Sequence, residues 1–311
     1  MLEYLSPSSI NLRMENEEAF FIRYMTDVPG VPQTPAMAVG SAFDACIKAY
    51  LIQWCSSGGP EGPGPDPVKH HDLYEEFLQD CVEEHCINDA RWQGIVVFNK
   101  FKETGALKYL LNDLQDSQCE VLGKIQRVIE GVPLLGKPDL SYISKAQGCK
   151  VTDDWKCNGA LSKRAVSPLP GYVDLFPSRD MHKKCDLVNG VNVLDMHKDY
   201  RLQMICYKLL TDCDIVGITQ LVFGSSDPSG PDPSSPGFVI GDCRVALHRH
   251  RVSEEAQRAV IDEMKELWQM VIDYYDHPER GFGQISGSRC NQLCEQAAVM
   301  VDDSKRMLFG R

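Results

Sequence analysis

The sequence has no excess of basic residues, no long apolar run and no apolar leader at its start. Its 32 Lys and Arg stand against 44 Asp and Glu, which gives a formal charge of −12 and excludes a strongly basic protein that coats nucleic acid. No stretch approaches the roughly 18 consecutive apolar residues of a membrane span. The first residues, Met1 to Pro7, lack the basic and apolar regions of a secretion signal. We therefore expect a soluble, cytoplasmic protein with no membrane partner.

The cysteines are numerous but lack the spacing of a metal-binding set. There are 13 of them, an odd number that cannot all pair within the chain, and reduced thiols are the default without a secretion signal. No CxxC pair occurs, and Cys290 and Cys294 are the closest pair at ligand spacing. Most of the others, such as Cys46, Cys206 and Cys213, lie in apolar helical patterns, where we expect them to pack as small hydrophobic residues.

The composition is that of a globular protein, with 43% hydrophobic and 24% charged residues in 311. We expect a single domain, 1–311. It would comprise a helical N-terminal part (1–100), a core (101–250) interrupted by a polar insertion (158–196), and a helical C-terminal part (251–311). The core has the order helix, three strands, helix, strand, which predicts an α/β fold: a central mixed β-sheet flanked by helices.

The spacing of the apolar residues predicts the individual elements. The predicted helices are Ser6–Met25, Ala36–Trp54, His70–Cys86, Glu103–Leu114, Tyr200–Leu210 and Ser253–Tyr275. The predicted strands are Ile95–Phe98, Leu122–Glu130, Asp139–Ser144, Lys150–Cys157, Ile218–Phe223 and Phe238–Leu247.

Ionisable residues mark the second and third strands of the core. Asp154 and Lys156 share one face of their strand because side chains alternate, and Asp153 lies on the opposite face. If the hairpin is centred between residues 146 and 147, residues whose numbers add to 293 face each other. Asp139 then lies opposite Asp154, whereas a slip of one residue would separate them.

Two facing carboxylates repel each other unless a cation joins them, and a hard divalent ion is their natural partner. A lysine two residues further on can orient a water and neutralise charge on a phosphate. The pattern therefore favours cleavage of phosphodiester bonds. The alternative is that Asp139 only begins a strand and that Asp154 and Lys156 are part of a solvated strand end.

These residues resemble the motifs of the PD-(D/E)XK nuclease superfamily, and in particular its RecB-like exonuclease branch. Pro138-Asp139 and Asp154-Trp155-Lys156 match the defining motif, and Gln203 to Tyr207 matches Q-x-x-x-Y. Gly40 to Asp44 is similar to the G-x-x-x-H element, with aspartate in place of histidine. The resemblance runs from about Ser6 to Leu247 and implies a restriction-endonuclease-like core.

The resemblance also implies roles for these residues. Asp139, Asp154 and the Trp155 carbonyl would bind Mg²⁺ or Mn²⁺, and Lys156 would serve the attacking water. Asp44 stands where the family has a metal-binding histidine, and an aspartate can bind a hard cation. Alternatively, Asp44 is only a polar residue beside the apolar stripe of its helix. Gln203 would act near the reacting phosphate, and Tyr207 would lie near the DNA backbone or else be a core aromatic.

The implied activity is a divalent-metal-dependent DNA nuclease, with exonuclease favoured over endonuclease. It would act in DNA recombination, replication or repair, in a bacterial or phage setting. Its partners would be DNA and a recombination or replication protein. The alternatives are an inactive nuclease-fold protein that binds DNA or acts as a scaffold, and a structure- or sequence-specific endonuclease. Neither an iron–sulfur cluster nor ATP is expected, because the cysteines of the cluster and any G-x-x-x-x-G-K-[ST] string are missing. Basic residues that could contact DNA are Lys163, Arg164, Arg179, His182, Lys183, Lys184 and His248 to Arg251.

Overall fold

The computed structural model describes residues 2–277, except for 164–197 and the loop positions 27, 29, 63, 122, 226, 228, 233, 234 and 236. Most of the predicted insertion and the end of the chain therefore lie outside the described residues. So do these residues named above: Arg164, Arg179, His182, Lys183, Lys184, Cys290 and Cys294.

Two short helices, α1 (Pro7–Glu15) and α2 (Glu17–Met25), replace the single N-terminal helix that we predicted. Ser6 begins α1 in a capping box. The Ser6 hydroxyl accepts from the Ser9 N–H, and the Ser9 hydroxyl accepts from the Ser6 N–H. Asn16 has an extended backbone that ends α1, and its side chain accepts from the Ala19 N–H to begin α2. The prediction missed this break because an asparagine in a polar stretch also fits a solvated helix face.

Four helices follow, and they pack together on one side of the protein. They are α3 (Pro35–Ser56), α4 (Pro67–Cys81), α5 (Ile87–Glu103) and α6 (Ala106–Asp113), with 3₁₀ turns at Gly59–Glu61 and Glu84–Cys86. The predicted strand Ile95–Phe98 is wrong, because this segment belongs to α5, where Val97, Phe98 and Phe101 are buried. A short apolar run fits a strand or a buried helix equally well.

Helix α3 is the central helix of this group. Among the described residues it is the one helix long and apolar enough, by length and composition, to cross a membrane. Ten of its residues are nevertheless buried inside the protein, including Phe43, Ile47 and Leu51. It is a core helix, and Gly94 of α5 allows a close approach: a Cβ there would lie 2.6 Å from the Cβ of Ala42.

The main sheet has five strands in the order β1-β4-β5-β6-β7. The strands are β1 (Leu114–Val121), β4 (Leu140–Ser144), β5 (Cys149–Asn158), β6 (Ile215–Val222) and β7 (Arg244–His250). β5 and β6 are parallel and the other pairs are antiparallel, so the sheet is mixed as predicted. The crossover between β5 and β6 includes helix α7 (Lys198–Thr211), and α8 (Glu254–Asp276) follows β7.

The first predicted core strand does not join this sheet. Residues Ile125–Ile129 form β2, which pairs with β3 (Val132–Gly136) in a separate two-stranded sheet. Instead, β1 pairs with β4. Its sequence, LQDSQCEV, has no alternation of apolar residues, so the sequence predicts no strand there. The strand after the crossover, β6, lies beside β5, which is the third predicted core strand.

Two apolar cores cover the two faces of the main sheet. One joins α3, α4, α5 and α6 to one face, and the other joins α1, α2, α7, α8 and the β2–β3 hairpin to the opposite face. Cys46, Cys206 and Cys213 are buried in these cores, as predicted, although Cys213 follows α7 and is not part of a helix. The molecule is therefore an α/β protein with a mixed sheet between helical layers.

Candidate active site

The β4–β5 hairpin brings Asp139 and Asp154 together. Leu140 pairs with Asp153 and Ser141 with Thr152, so facing residue numbers add to 293 and the predicted register is confirmed. Asp139 directly precedes β4, and its N–H donates to the Asp153 carbonyl at 3.2 Å, which holds its backbone against β5. The Trp155 N–H donates to Oδ2 of Asp139 at 2.8 Å. This bond holds the Asp139 carboxylate beside β5.

Helix α3 adds a carboxylate and a cation to this pair. Lys48 lies one turn after Asp44, and its Nζ is 2.6 Å from Oδ2 of Asp44 and 2.9 Å from Oδ1 of Asp139. The ammonium thus bridges two carboxylates that belong to different elements. Burial lowers the pKa of Lys48, but Asp139 and Asp44 outweigh it and raise that pKa overall. Lys48 is therefore a permanent positive charge at this point.

Asp154 is almost fully enclosed, with 3% of the residue exposed. Burial first, and then the charge of Asp139, raise its pKa to about 7, although Lys156 acts in the opposite direction. The Lys156 ammonium forms an ion pair with Oδ2 of Asp154 and lies 5.3 Å from the centre of the Tyr200 ring. Burial lowers the pKa of Lys156, and Asp154 more than restores it. Asp154 and Lys156 share a strand face, as predicted.

Asp44 carries an unsatisfied acceptor. Its Oδ1 atom is buried and accepts no hydrogen bond within the described residues. Burial, followed by the charge of Asp139, raises the pKa of Asp44 well above its ordinary value despite the neighbouring Lys48. A buried carboxylate oxygen without a donor is costly, and a cation would remove that cost.

The three carboxylates are the right type of ligand for a hard divalent ion, but they are not arranged to hold one. Carboxylate oxygens of Asp44, Asp139 and Asp154 are the ligands that Mg²⁺ and Mn²⁺ prefer. The charge of Asp139 raises the pKa of both Asp44 and Asp154, so the three carboxylates lie in one small region. Within the described part of the chain, however, no three His, Cys, Asp or Glu side chains are grouped so that they could hold a metal ion. Lysine ammonium groups contact all three carboxylates instead.

Helix α7 closes the site from the other side. The Tyr207 hydroxyl donates to the Lys137 carbonyl at 2.9 Å and accepts from Nε2 of Gln203 at 2.7 Å. Tyr207 is 3% exposed, so its ring is a core aromatic. Burial, Asp154 and Asp139 together raise the pKa of its hydroxyl, which shows that it borders the carboxylates. A cleft of about 590 Å³ opens beside Gln203 and Tyr207.

Asp153 lies on the opposite face of β5, as predicted, and its carboxylate contacts side chains of the strands β6 and β7. It is fully buried, and Arg249 of β7 contacts both of its oxygens, at 2.7 and 3.1 Å. Thr219 donates to its Oδ2 at 2.9 Å. A Cβ on Gly217 would meet this ion pair at 2.5 Å from Nη1 of Arg249, so that position has room only for glycine.

Five of the ten basic residues predicted to contact DNA are described, namely Lys163 and His248 to Arg251. Lys163 follows β5 and forms an ion pair with Asp232 at 2.8 Å, on the surface. His248, Arg249 and His250 do not follow a strand but belong to β7. The Arg249 guanidinium is buried in its pair with Asp153, so it is not part of a basic rim.

Lys48 was not predicted as a site residue, and Arg249 was predicted to contact DNA but pairs with Asp153 instead. The spacing of Asp44 and Lys48, four residues apart on a predicted helix, could have indicated an ion pair. Such pairs are common on solvated helix faces, and only the fold shows that this one reaches Asp139. Arg249 left no local signal, because its partner lies 96 positions earlier in the chain.

No protein-family model and no curated protein matches this chain. Among solved structures, it is similar to a protein from Eubacterium rectale named "Putative exonuclease", with 10% identity and a TM-score of 0.38 over 87% of this chain and 80% of that one. It is also similar to SSO0001, with 10% identity and a TM-score of 0.25 over 84% of each chain. Likeness at this level does not show which reaction, if any, the protein catalyses.

Proposed function

We propose that the protein is a divalent-metal-dependent nuclease that hydrolyses phosphodiester bonds in DNA. The observation that supports the proposal is the β4–β5 hairpin, whose pairing begins at Leu140 and Asp153. The Trp155 N–H binds the Asp139 carboxylate next to Asp154, and Lys156 forms an ion pair with Asp154. The motif match in the sequence supports it. The RecB-like character of Gln203 to Tyr207 favours an exonuclease, with a role in DNA recombination, replication or repair.

Asp44, Asp139, Asp154 and the Trp155 carbonyl would hold Mg²⁺ or Mn²⁺. The ion supplies activation of a water and neutralisation of phosphate charge. Lys156 lies beside Asp154, where its ammonium can donate to an oxygen of the scissile phosphate or orient the attacking water. Gln203 and Tyr207 fix the Lys137 carbonyl, two residues before Asp139, and so position that carboxylate.

One observation favours a second function, that of an inactive nuclease-fold protein that binds DNA. The lysine contacts to all three carboxylates neutralise charges that an active site would offer to a metal. In that case the intact motif would be a remnant whose ion pairs only stabilise the fold. The two proposals differ in whether DNA is cut.

The test incubates the protein with end-labelled linear duplex, single-stranded DNA and closed circular DNA, in Mn²⁺, Mg²⁺ or EDTA. Asp154→Asn is the test variant. Asp242→Asn is the matched control, because the Asp242 side chain is 99% exposed and forms its ion pair with Lys100, outside the hairpin. We expect metal-dependent loss of linear DNA, reduced more than about a hundredfold by Asp154→Asn alone.

Each other outcome changes the proposal in a defined way. Cleavage of the closed circle would replace exonuclease by endonuclease. DNA binding without cleavage in either metal would establish the inactive binding protein. Equal cleavage by the wild type and Asp154→Asn would remove the hairpin from the reaction.

A further inference from the structure

We propose that Lys48 is an internal cation that occupies the place of the metal and must leave when a divalent ion binds. This inference rests on the proposed function, because it concerns the same carboxylates. It makes Lys48 a positioning residue that sets the metal affinity of the site.

The geometry around the ammonium supports this role. Its Nζ lies between Oδ2 of Asp44 and Oδ1 of Asp139, and since its distances of 2.6 and 2.9 Å add to 5.5 Å, the two oxygens are at most that far apart. Oxygen ligands of one Mg²⁺ lie about 2.1 Å from the ion. An ion that bound these same two oxygens would therefore compete with Nζ for them.

The electrostatics support the same role. Only 14% of the Lys48 side chain is exposed, and its ammonium bridges the helix and the hairpin. Oδ1 of Asp44 remains without a hydrogen-bond donor even with Lys48 in place. The single charge of lysine thus compensates the carboxylates only in part, and a divalent ion would compensate them more fully.

The ammonium can leave without unfolding the protein. Lys48 sits on α3 one turn after Asp44, so rotation about its side chain carries Nζ away while the helix stays in place. In the metal-free protein, Lys48 keeps Asp44 and Asp139 near each other despite their repulsion. The site is in this way held together before a metal arrives, at a cost in affinity.

The test measures Mn²⁺ binding by isothermal titration calorimetry and by electron paramagnetic resonance of free Mn²⁺. Lys48→Met keeps the length and apolar stem of the side chain but removes the charge. Lys108→Met is the matched control, because Lys108 is exposed on α6 and forms no ion pair within the described residues. We expect Lys48→Met to bind Mn²⁺ about tenfold more tightly, and Lys108→Met to change affinity less than twofold.

A chemical probe tests the departure of the ammonium directly. Lysines of the wild type are acetylated with an amine reagent, with and without saturating Mn²⁺, and quantified by mass spectrometry. We expect the labelling of Lys48 to rise when Mn²⁺ binds and that of the exposed Lys108 to stay constant. Unchanged labelling of Lys48 at saturation would overturn the proposal.

The outcomes separate this inference from the proposed function. If the wild type binds Mn²⁺ but Lys48→Met binds it no more tightly, the role of Lys48 is wrong and the nuclease proposal stands. If neither protein binds Mn²⁺, the metal site is absent and both fail. Binding by Lys48→Met alone would support the role of Lys48 in its strongest form.

Discussion

Arg249 holds Asp153 through both oxygens of its carboxylate, directly behind the strand position that carries Asp154. The two contacts measure 2.7 and 3.1 Å, and Asp153 is fully buried. Because β5 presents Asp153 to one face and Asp154 to the other, this ion pair anchors the strand on which the proposed active site depends.

Loss of the Arg249 side chain should destabilise the protein strongly. Arg249→Met leaves a buried carboxylate without its partner, and such a change costs about 3–5 kcal/mol. Denaturant unfolding followed by circular dichroism measures it. The double variant Asp153→Asn/Arg249→Met should recover part of the loss, since it removes the orphaned charge. A single-variant effect below 1 kcal/mol would contradict the anchoring role.

The contact between Gly94 and Ala42 sets the position of α3, which carries Asp44 and Lys48. Gly94→Ala would place a Cβ 2.9 Å from the backbone carbon of Ala42. Alanine favours a helix over glycine, but the clash with backbone should outweigh this and cost about 1–3 kcal/mol. Gly123→Ala is the control, because a Cβ there meets nothing within 4 Å. Equal melting temperatures for the two variants would refute this expectation.

The raised pKa of Asp154 predicts how the stability of the metal-free protein depends on pH. Its pKa is about 7 in the folded protein, mainly through burial, against 3.8 for an ordinary aspartate. Between these values the folded state keeps a proton that the unfolded state releases. The contribution of Asp154 is therefore complete below about pH 4 and is lost as the pH rises to about 7.

The comparison of the wild type with Asp154→Asn isolates this contribution. His248, whose pKa burial lowers to about 3, acts in the opposite sense but is present in both proteins. Relative to the wild type, we expect the variant to gain on the order of 4 kcal/mol between pH 4 and pH 8. Unfolding curves in EDTA at each pH measure the difference, and a constant difference would show that Asp154 does not titrate in this range.

The hydroxyl of Tyr207 should affect both stability and catalysis. Tyr207→Phe removes its bonds to the Lys137 carbonyl and from Gln203, which should cost about 1 kcal/mol of stability. Because Lys137 leads to Asp139, we expect kcat on linear DNA to fall about tenfold with KM little changed. The control is Tyr24→Phe, which loses a 3.3 Å exposed bond to Ser8. A rise in KM alone would indicate that Tyr207 binds DNA and does not position Asp139.

Local patterns made the hairpin predictable. The register of β4 and β5 follows from a short turn and from alternation within each strand, so Asp139 and Asp154 could be placed opposite each other from the sequence. The caps Ser6 and Ser253 likewise mark helix starts through their own hydrogen bonds. Information of this kind is contained in a few neighbouring residues.

Features that depend on distant parts of the chain were not predictable. β1 is recognisable as a strand only through its partner β4, since its own sequence is polar. The segment Ile95–Phe98 is helical because it packs on α3, a context that a four-residue pattern does not contain. The reach of Lys48 to Asp139 depends on how α3 lies across the hairpin. These contacts are tertiary, and tertiary packing overrides local preference.

The origin of the site in two parts of the chain also bears on the order in which the protein folds. Trp155 and Asp139 are 16 positions apart and meet through a tight hairpin, which closes in microseconds. Lys48 and Asp139 are 91 positions apart, and closing so long a loop costs more chain entropy. We expect the carboxylate pair to form early and α3 to dock late. A partly folded chain would then present Asp139 and Asp154 without Asp44 or Lys48, so a complete site arises only with the finished fold.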